Sequence, residues 1–185
     1  MAEFIAYARA NPGKIAYASS SSGGATHLAG ELFKQLTGTD MVHVPYRGSG
    51  PAVQDLIAGN VQCMFDSVPS SAASARDGRL RALGVTTKSR IAPFPDLPTI
   101  AEAGVPGYEI ATWYGIWAPA RTAPAIIARL QQAVASAART PETRARFDAL
   151  GAEPVADSPE DYARFVRTED DRWGKLVRDA RIKLD

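Results

Sequence analysis

Lys14-Ile15-Ala16-Tyr17-Ala18-Ser19 runs straight into Ser20-Ser21-Ser22-Gly23-Gly24 and then into Thr26–Thr37, a helical pattern closed by Gly38. An apolar run of strand length, a turn of small residues and an amphipathic helix form the first half of a strand–helix–strand unit. The alternation then continues. Met41–Pro45 reads as a second strand, Gly48-Ser49-Gly50-Pro51 opens a helix that ends at Gly59, and Val61–Asp66 reads as a third strand. Pro69–Arg76 reads as a short helix stopped at Gly78, and Leu80–Thr86 as a fourth strand. Strands that alternate with helices at this spacing need crossover connections, so the expected fold class is α/β with a mainly parallel sheet.

Residues 2–10, upstream, place Phe4, Ile5 and Ala8 on one helical face before Asn11-Pro12-Gly13 breaks the helix. Downstream, Pro93, Pro95, Pro98 and Pro106 make an irregular connection, within which Thr99-Ile100-Ala101-Glu102 has capping-box spacing for one short helix. Tyr108–Trp117 reads as extended and aromatic. Beyond Pro119 the chain reads as helical, with at most one short strand near Glu153–Ala156. Ile126, Leu130, Ala133, Val134 and Ala137 form one apolar stripe. A later helix begins at Ser158-Pro159-Glu160-Asp161 and carries Tyr162, Phe165, Val166, Trp173, Leu176 and Val177 on one side. These faces need a partner layer.

Composition narrows the function. The 185 residues carry 21 Lys and Arg against 20 Asp and Glu, a net charge of +1, which argues against binding to bulk nucleic acid. No apolar run approaches the roughly 20 residues of a membrane span. Cys63 is the single cysteine, so neither an internal disulfide nor a cysteine metal cluster forms. His27 and His43 are the only histidines, and no tight carboxylate motif accompanies them as metal ligands. The P-loop, dinucleotide-binding and nucleophile-elbow patterns are all absent.

The strongest local feature is the turn Ser20, Ser21, Ser22, Gly23, Gly24, Ala25, Thr26, His27. Small residues let backbone N–H groups converge, and the following helix aims its partial positive end at the same spot, as a carboxylate or phosphate site requires. A solvated Ser/Gly turn with a helix cap fits the same letters equally well. In an open parallel sheet ligands bind beyond the carboxyl ends of the strands. Tyr46-Arg47-Gly48, Asp66-Ser67 and Thr86-Thr87 all fall at that edge. Capping by Ser67 and turn formation by Arg47-Gly48 are the plain alternatives there. His27 and His43 suit capping or packing.

Asn11-Pro12-Gly13-Lys14, His27-Leu28-Ala29-Gly30-Glu31, Val44-Pro45-Tyr46-Arg47-Gly48, Gly78-Arg79-Leu80-Arg81-Ala82-Leu83, Leu97-Pro98-Thr99-Ile100-Ala101-Glu102-Ala103-Gly104, Trp113-Tyr114-Gly115 and Ala118-Pro119 follow in a specific order. That series, over nearly the whole chain, resembles the substrate-binding proteins of tripartite tricarboxylate transporters, the Bug family. The resemblance implies a periplasmic, two-lobed solute-binding protein of the type II flytrap class, without catalytic residues or cofactor. Such a protein hands a small carboxylate to membrane permease subunits. It implies ligand contacts from Ser20–His27, with Tyr46 and Asp66-Ser67 on neighbouring turns. The family loop commonly reads Gly-x-Gly-Ser where Ser21-Ser22-Gly23-Gly24 stands here, and commonly has Asn at the position of Ser67.

Set against the family, residues 1–11 are expected as an entry helix and linker, residues 12–115 as lobe two, and residues 116–185 as the returning part of lobe one. On that reading the chain is truncated at its N-terminus. The expected consequences are weakened ligand affinity and an uncovered apolar face prone to self-association or domain swapping. The other readings are a small α/β enzyme acting on a carboxylate or phosphate metabolite, and an interaction module without a small ligand.

Overall fold

A computed structural model describes residues 1–182. Three strands form one parallel sheet in the order β2-β1-β3, with β1 at Ile15–Ser19, β2 at Met41–Pro45 and β3 at Cys63–Met64. β1 is central. It pairs with β2 from Ile15 opposite Met41 to Ser19 opposite Pro45, and with β3 at Tyr17 opposite Cys63 and Ala18 opposite Met64. Helices α1 (Ala2–Ala10), α2 (Ala25–Thr37), α3 (Ser49–Ala58) and α4 (Val68–Arg76) intervene. α2 and α3 stop where the sequence places glycine, because Gly38 (φ 62°) and Gly59 (φ 80°) take the left-handed conformation that closes a helix.

Two sheet expectations are corrected. The third strand spans only two of the six residues expected, and 80–86 is not a strand. The Arg79 and Leu80 N–H groups turn back to the Ser74 carbonyl at 3.0 and 3.1 Å, which draws the segment away from a ladder. Only Val85 pairs, in a parallel bridge with Thr99. The expected capping box is present as bonds without a helix: Thr99 N–H donates to Glu102 Oε2 and Glu102 N–H to Thr99 Oγ1, each at 3.0 Å. Among the described residues, 77–123 hold no helix and no regular strand, and no strand forms near 153–156.

The chain divides into two compact units, Met1–Thr112 with Lys175–Asp185, and Trp113–Gly174. Residues 183–185 of the expected C-terminal segment lie outside the described residues. In the first unit Tyr17, Phe33, Ile15, Met41 and Tyr108 are the large, fully buried side chains. The second unit is helical: α5 (Pro124–Ala138), α6 (Pro141–Leu150) and the start of α7 (Pro159–Asp179). Thr140 caps α6 by accepting the Thr143 N–H, and Gly151 ends it at φ 65°. Within this unit Trp113 meets Tyr162 and Phe165 edge-on, and Trp117 lies against Tyr162. Most of the expected α5 stripe remains exposed, including Ile126, Leu130 and Val134. No helix among the described residues is long and apolar enough to cross a membrane.

α2 crosses β1 at Gly30. A Cβ there would overlap the ring of Tyr17, which is completely buried. Gly30→Ala is therefore expected to lower unfolding stability by about 1–3 kcal/mol. Gly50→Ala, where a Cβ meets open space, should leave stability unchanged or raise it slightly. Denaturant midpoints of the two variants check this contrast.

Candidate ligand-binding site

The carboxyl ends of β1, β2 and β3 each feed a helix, so the N-termini of α2, α3 and α4 gather at one edge of the sheet. None of the three first turns carries an acidic residue, and among the described residues no side chain caps these helices. Their leading N–H groups have no intrahelical partner and carry the positive end of the helix dipole. This edge therefore favours an anion without needing a formal positive charge.

The serine loop is held from within. Ser20 N–H donates to Thr26 Oγ1 at 2.9 Å, and the two hydroxyls lie 3.0 Å apart. Gly48 N–H donates to the Ser20 carbonyl at 2.8 Å, and Tyr46 N–H to the Ser19 carbonyl at 2.9 Å, which extends the β1–β2 register into the loop. Gly23 has φ 72°, where L side chains are strained. At Gly24 a Cβ would run into the Ser21 hydroxyl. Each glycine thus answers a different backbone demand.

Beneath the loop lies a polar aromatic stack. Gly23 N–H donates to His27 Nδ1 at 2.9 Å. The His27 and His43 rings stack at 3.6 Å and 10°, with Tyr17 beside the pair, 5.0 Å from His43 and 6.3 Å from His27. The Ser19 hydroxyl donates to the Ser21 carbonyl at 3.0 Å, so its oxygen accepts from His43 Nε2 at 2.6 Å. Burial disfavours the charged form of both rings. It lowers the His27 pKa below its usual value, and burial together with the neighbouring His27 lowers that of His43 to about 4. Both imidazoles are neutral at pH 7.

A small cavity of about 20 Å³ opens at the start of α2, lined there by Ala25, Thr26 and Ala29. Phe65 and Asp66 come to it from the end of β3, and Thr86, Ile110 and Thr112 from the irregular segment. Ile110 N–H donates to the Thr86 carbonyl at 2.9 Å, which holds that wall together. Asp66 accepts from the Ser49 hydroxyl at 2.7 Å and the Ser70 hydroxyl at 2.6 Å. It thereby ties the start of α3 to the start of α4. No group of three or more metal-binding side chains occurs among the described residues.

The sheet edge thus combines uncapped helix N-termini, a hydroxyl-rich loop and a small cavity with the Asp66 carboxyl group in its wall. The family described as "Tripartite tricarboxylate transporter family receptor" matches residues 1–182. The chain belongs to this family. A Pseudomonas sp. relative from a tcbD–tcbE intergenic region is 40% identical over 184 residues, covering 99% of this chain and 55% of the relative. A solved Rhodopseudomonas palustris protein with adipate is 41% identical at TM-score 0.90, covering 98% of this chain and 61% of the other. Periplasmic binding protein BugD is 30% identical at TM-score 0.86, covering 99% and 62%. MatC from the same Rhodopseudomonas species, with bound malate, is 32% identical at TM-score 0.84, covering 96% and 61%. The chain thus spans little more than half the length of these relatives. The resemblance read from the motif series holds, as does the α/β binding-protein fold.

Of the residues the sequence singles out, the fold brings Ala25, Thr26 and Asp66 to the cavity. Ser20, Ser21, Ser22, Gly23 and Gly24 form the adjoining loop, and His27 lies buried behind it. Tyr46 turns its hydroxyl away, donating to Asp55 at 2.7 Å. The Ser67 hydroxyl lies 2.8 Å from that of Ser70. Thr86 was legible as a polar group at this edge. Ile110 and Thr112 were not, since no local motif marks them and only the chain's return beside Thr86 brings them in.

The histidine stack makes stability pH-dependent. Unfolded chains bind the His43 proton near 6.5, whereas the folded chain binds it only near 4. Between those values the unfolded state holds more protons, so this contribution is complete above about 6.5 and is lost as pH falls toward 4. His43→Phe, which keeps a ring in the stack, is expected to flatten the slope of unfolding free energy in that window. Denaturant titrations at several pH values measure it.

Proposed function

We propose that this chain carries the solute-cradling unit of a transport receptor, which seats one carboxylate of a small organic acid at the serine loop and delivers the solute to membrane permease subunits in the periplasm. The observation that carries the reading is the set of uncapped helix N-termini around the cavity of Thr26, Asp66 and Thr86. Amides of the Ser21–Thr26 segment receive the carboxylate, apart from that of Gly23, which His27 holds, while the Ser20 amide is held by Thr26. The hydroxyl of Thr26 holds the loop in shape, and Asp66 with Ser67 and the Tyr46 backbone fix the neighbouring turns. The adipate and malate named with the two Rhodopseudomonas proteins support a dicarboxylate-sized solute. On this reading residues 12–115 act as one lobe of a two-lobed binder and 116–185 belong to the other.

Calorimetry with adipate and malate tests the proposal. Saturable binding without turnover is expected, at weak affinity because lobe closure around the ligand is what strengthens binding in this class. Thr26→Val, which removes the hydroxyl holding Ser20, should weaken binding about tenfold, equivalent to about 1.4 kcal/mol. Chemical conversion of the acid would instead favour an enzyme, and absence of binding by any small carboxylate would sink the receptor reading.

The second unit supports a proposal about assembly. Tyr114, Ile116 and Trp117 are 90%, 74% and 66% exposed, close together in sequence and flanking the Trp113–Tyr162 contact. We infer that this face associates with a second copy of the chain. Sedimentation velocity should show a concentration-dependent dimer or larger species, shifted toward monomer by Trp117→Ser. A monomer at all concentrations would contradict it.

A further inference from the structure

We propose that His27 is a positioning residue whose protonation releases the serine loop at Gly23, because the one nitrogen on which it can take up a proton is the nitrogen that holds the Gly23 amide. A neutral imidazole has one donor and one acceptor nitrogen. His27 Nδ1 accepts the Gly23 N–H at 2.9 Å, so the ring's own proton sits on Nε2. The next proton lands on Nδ1. Two donors then face each other across that distance, and the bond is lost.

The surroundings set where the His27 ring charges. His27 on α2 faces His43 on β2 and Tyr17 on β1. Glu31 and Lys34, also on α2, act on it with opposite signs. Tyr17 is kept neutral by burial and by its bond to Glu31, and Cys63 on β3 is kept neutral by burial. A charge on one stacked ring opposes a charge on the other. His43 feels the repulsion of His27 and resists down to about 4. Burial holds the proton uptake of His27 below the ordinary imidazole range.

The release is local because the residues on either side of Gly23 are held by other bonds. Gly23–His27 and Ser20–Thr26 are the side-chain bonds that tie the loop backbone to α2. When the first breaks, Gly24 stays fixed at the start of α2, its carbonyl accepting the His27 and Leu28 N–H groups at 3.0 Å, and the Ser21 carbonyl still accepts the Ser19 hydroxyl, so the freedom gained is confined to Gly23 and its peptide. Any anion affinity of the loop then changes across the His27 titration, a consequence that rests on the receptor reading. The loop release itself does not.

Amide exchange followed by NMR on the 15N-labelled chain without ligand tests the release. Protection of the Gly23 amide, corrected for intrinsic rate, should fall at least tenfold as the His27 ring titrates, while the β1 amides of Ala16–Ala18 keep theirs. His27→Gln supplies a carbonyl acceptor that cannot charge, so Gly23 should stay protected across the range. His27→Phe keeps a ring without an acceptor, and Gly23 should be unprotected at every pH. Unchanged Gly23 protection through the His27 titration would overturn the inference, as would an equal acid-induced loss in His27→Gln. If a variant loses its β1 protection, the coincidence of the Gly23 and His27 midpoints in the unmodified chain decides. Adipate calorimetry at the same pH values separates the two proposals. Loop release with no binding of adipate, malate or any other small carboxylate upholds this inference and removes the receptor reading.

Discussion

Everything at the binding edge depends on how closely α2 can approach β1. Tyr17 is completely buried in the central strand, and Gly30 lies against its ring with no room for a methyl group. Any larger residue would push α2 outward and carry its N-terminus away from the end of β1. The Tyr17 hydroxyl fixes the other coordinate. It donates to Glu31 Oε1 at 2.6 Å, and Lys34 donates to the same oxygen at 2.8 Å. One ring thus sets both the depth and the rotation of the helix whose first turn forms the cavity.

The same ring organises what surrounds it. Phe65 meets Tyr17 edge-on and stacks on Tyr108, and Phe33 packs tilted against Phe65 and edge-on against Tyr108. The Tyr108 hydroxyl donates to the Ala29 carbonyl at 3.0 Å, one residue before Gly30. A segment 79 residues away in sequence is thereby clamped onto α2. It brings Ile110 to the cavity, two residues beyond the clamp. A buried phenol must find a partner, and here the partner's location places a wall of the candidate site.

This arrangement explains what the sequence could and could not reveal. Helix ends are local events. Gly38, Gly59 and Gly151 announce them through left-handed geometry, and Thr140 through its cap. The central strand was legible because both of its neighbours bury it, leaving a short unbroken apolar run. The fourth strand was not, because Leu80–Thr86 has the composition of a strand but no ladder partner along most of its length. Gly84 passes within contact of Ile100 and the Pro98 carbonyl, so the segment packs across the irregular connection. The serine loop was legible as an anion-binding candidate from its letters. The histidine stack was not, since His27 and His43 lie 16 positions apart and meet only because β2 pairs in register beside β1.

The chemistry of the edge follows from what is kept out of it. No acid occupies the first turns of α2, α3 or α4, and the acid that does stand there, Asp66, is bonded to two hydroxyls. The two imidazoles beneath are held neutral by burial. The positive character of this edge comes from backbone dipole, equivalent to about half a charge per helix end. A guanidinium would grip a carboxylate with two charge-assisted bonds and recognise its planar shape. Helix ends give a weaker and more diffuse field, which holds an anion only when water is excluded and lets it go when water returns. On the proposed receptor reading, that sensitivity to solvent serves release of the solute, and it is built from amides whose positions trace back to the packing of Gly30 on Tyr17.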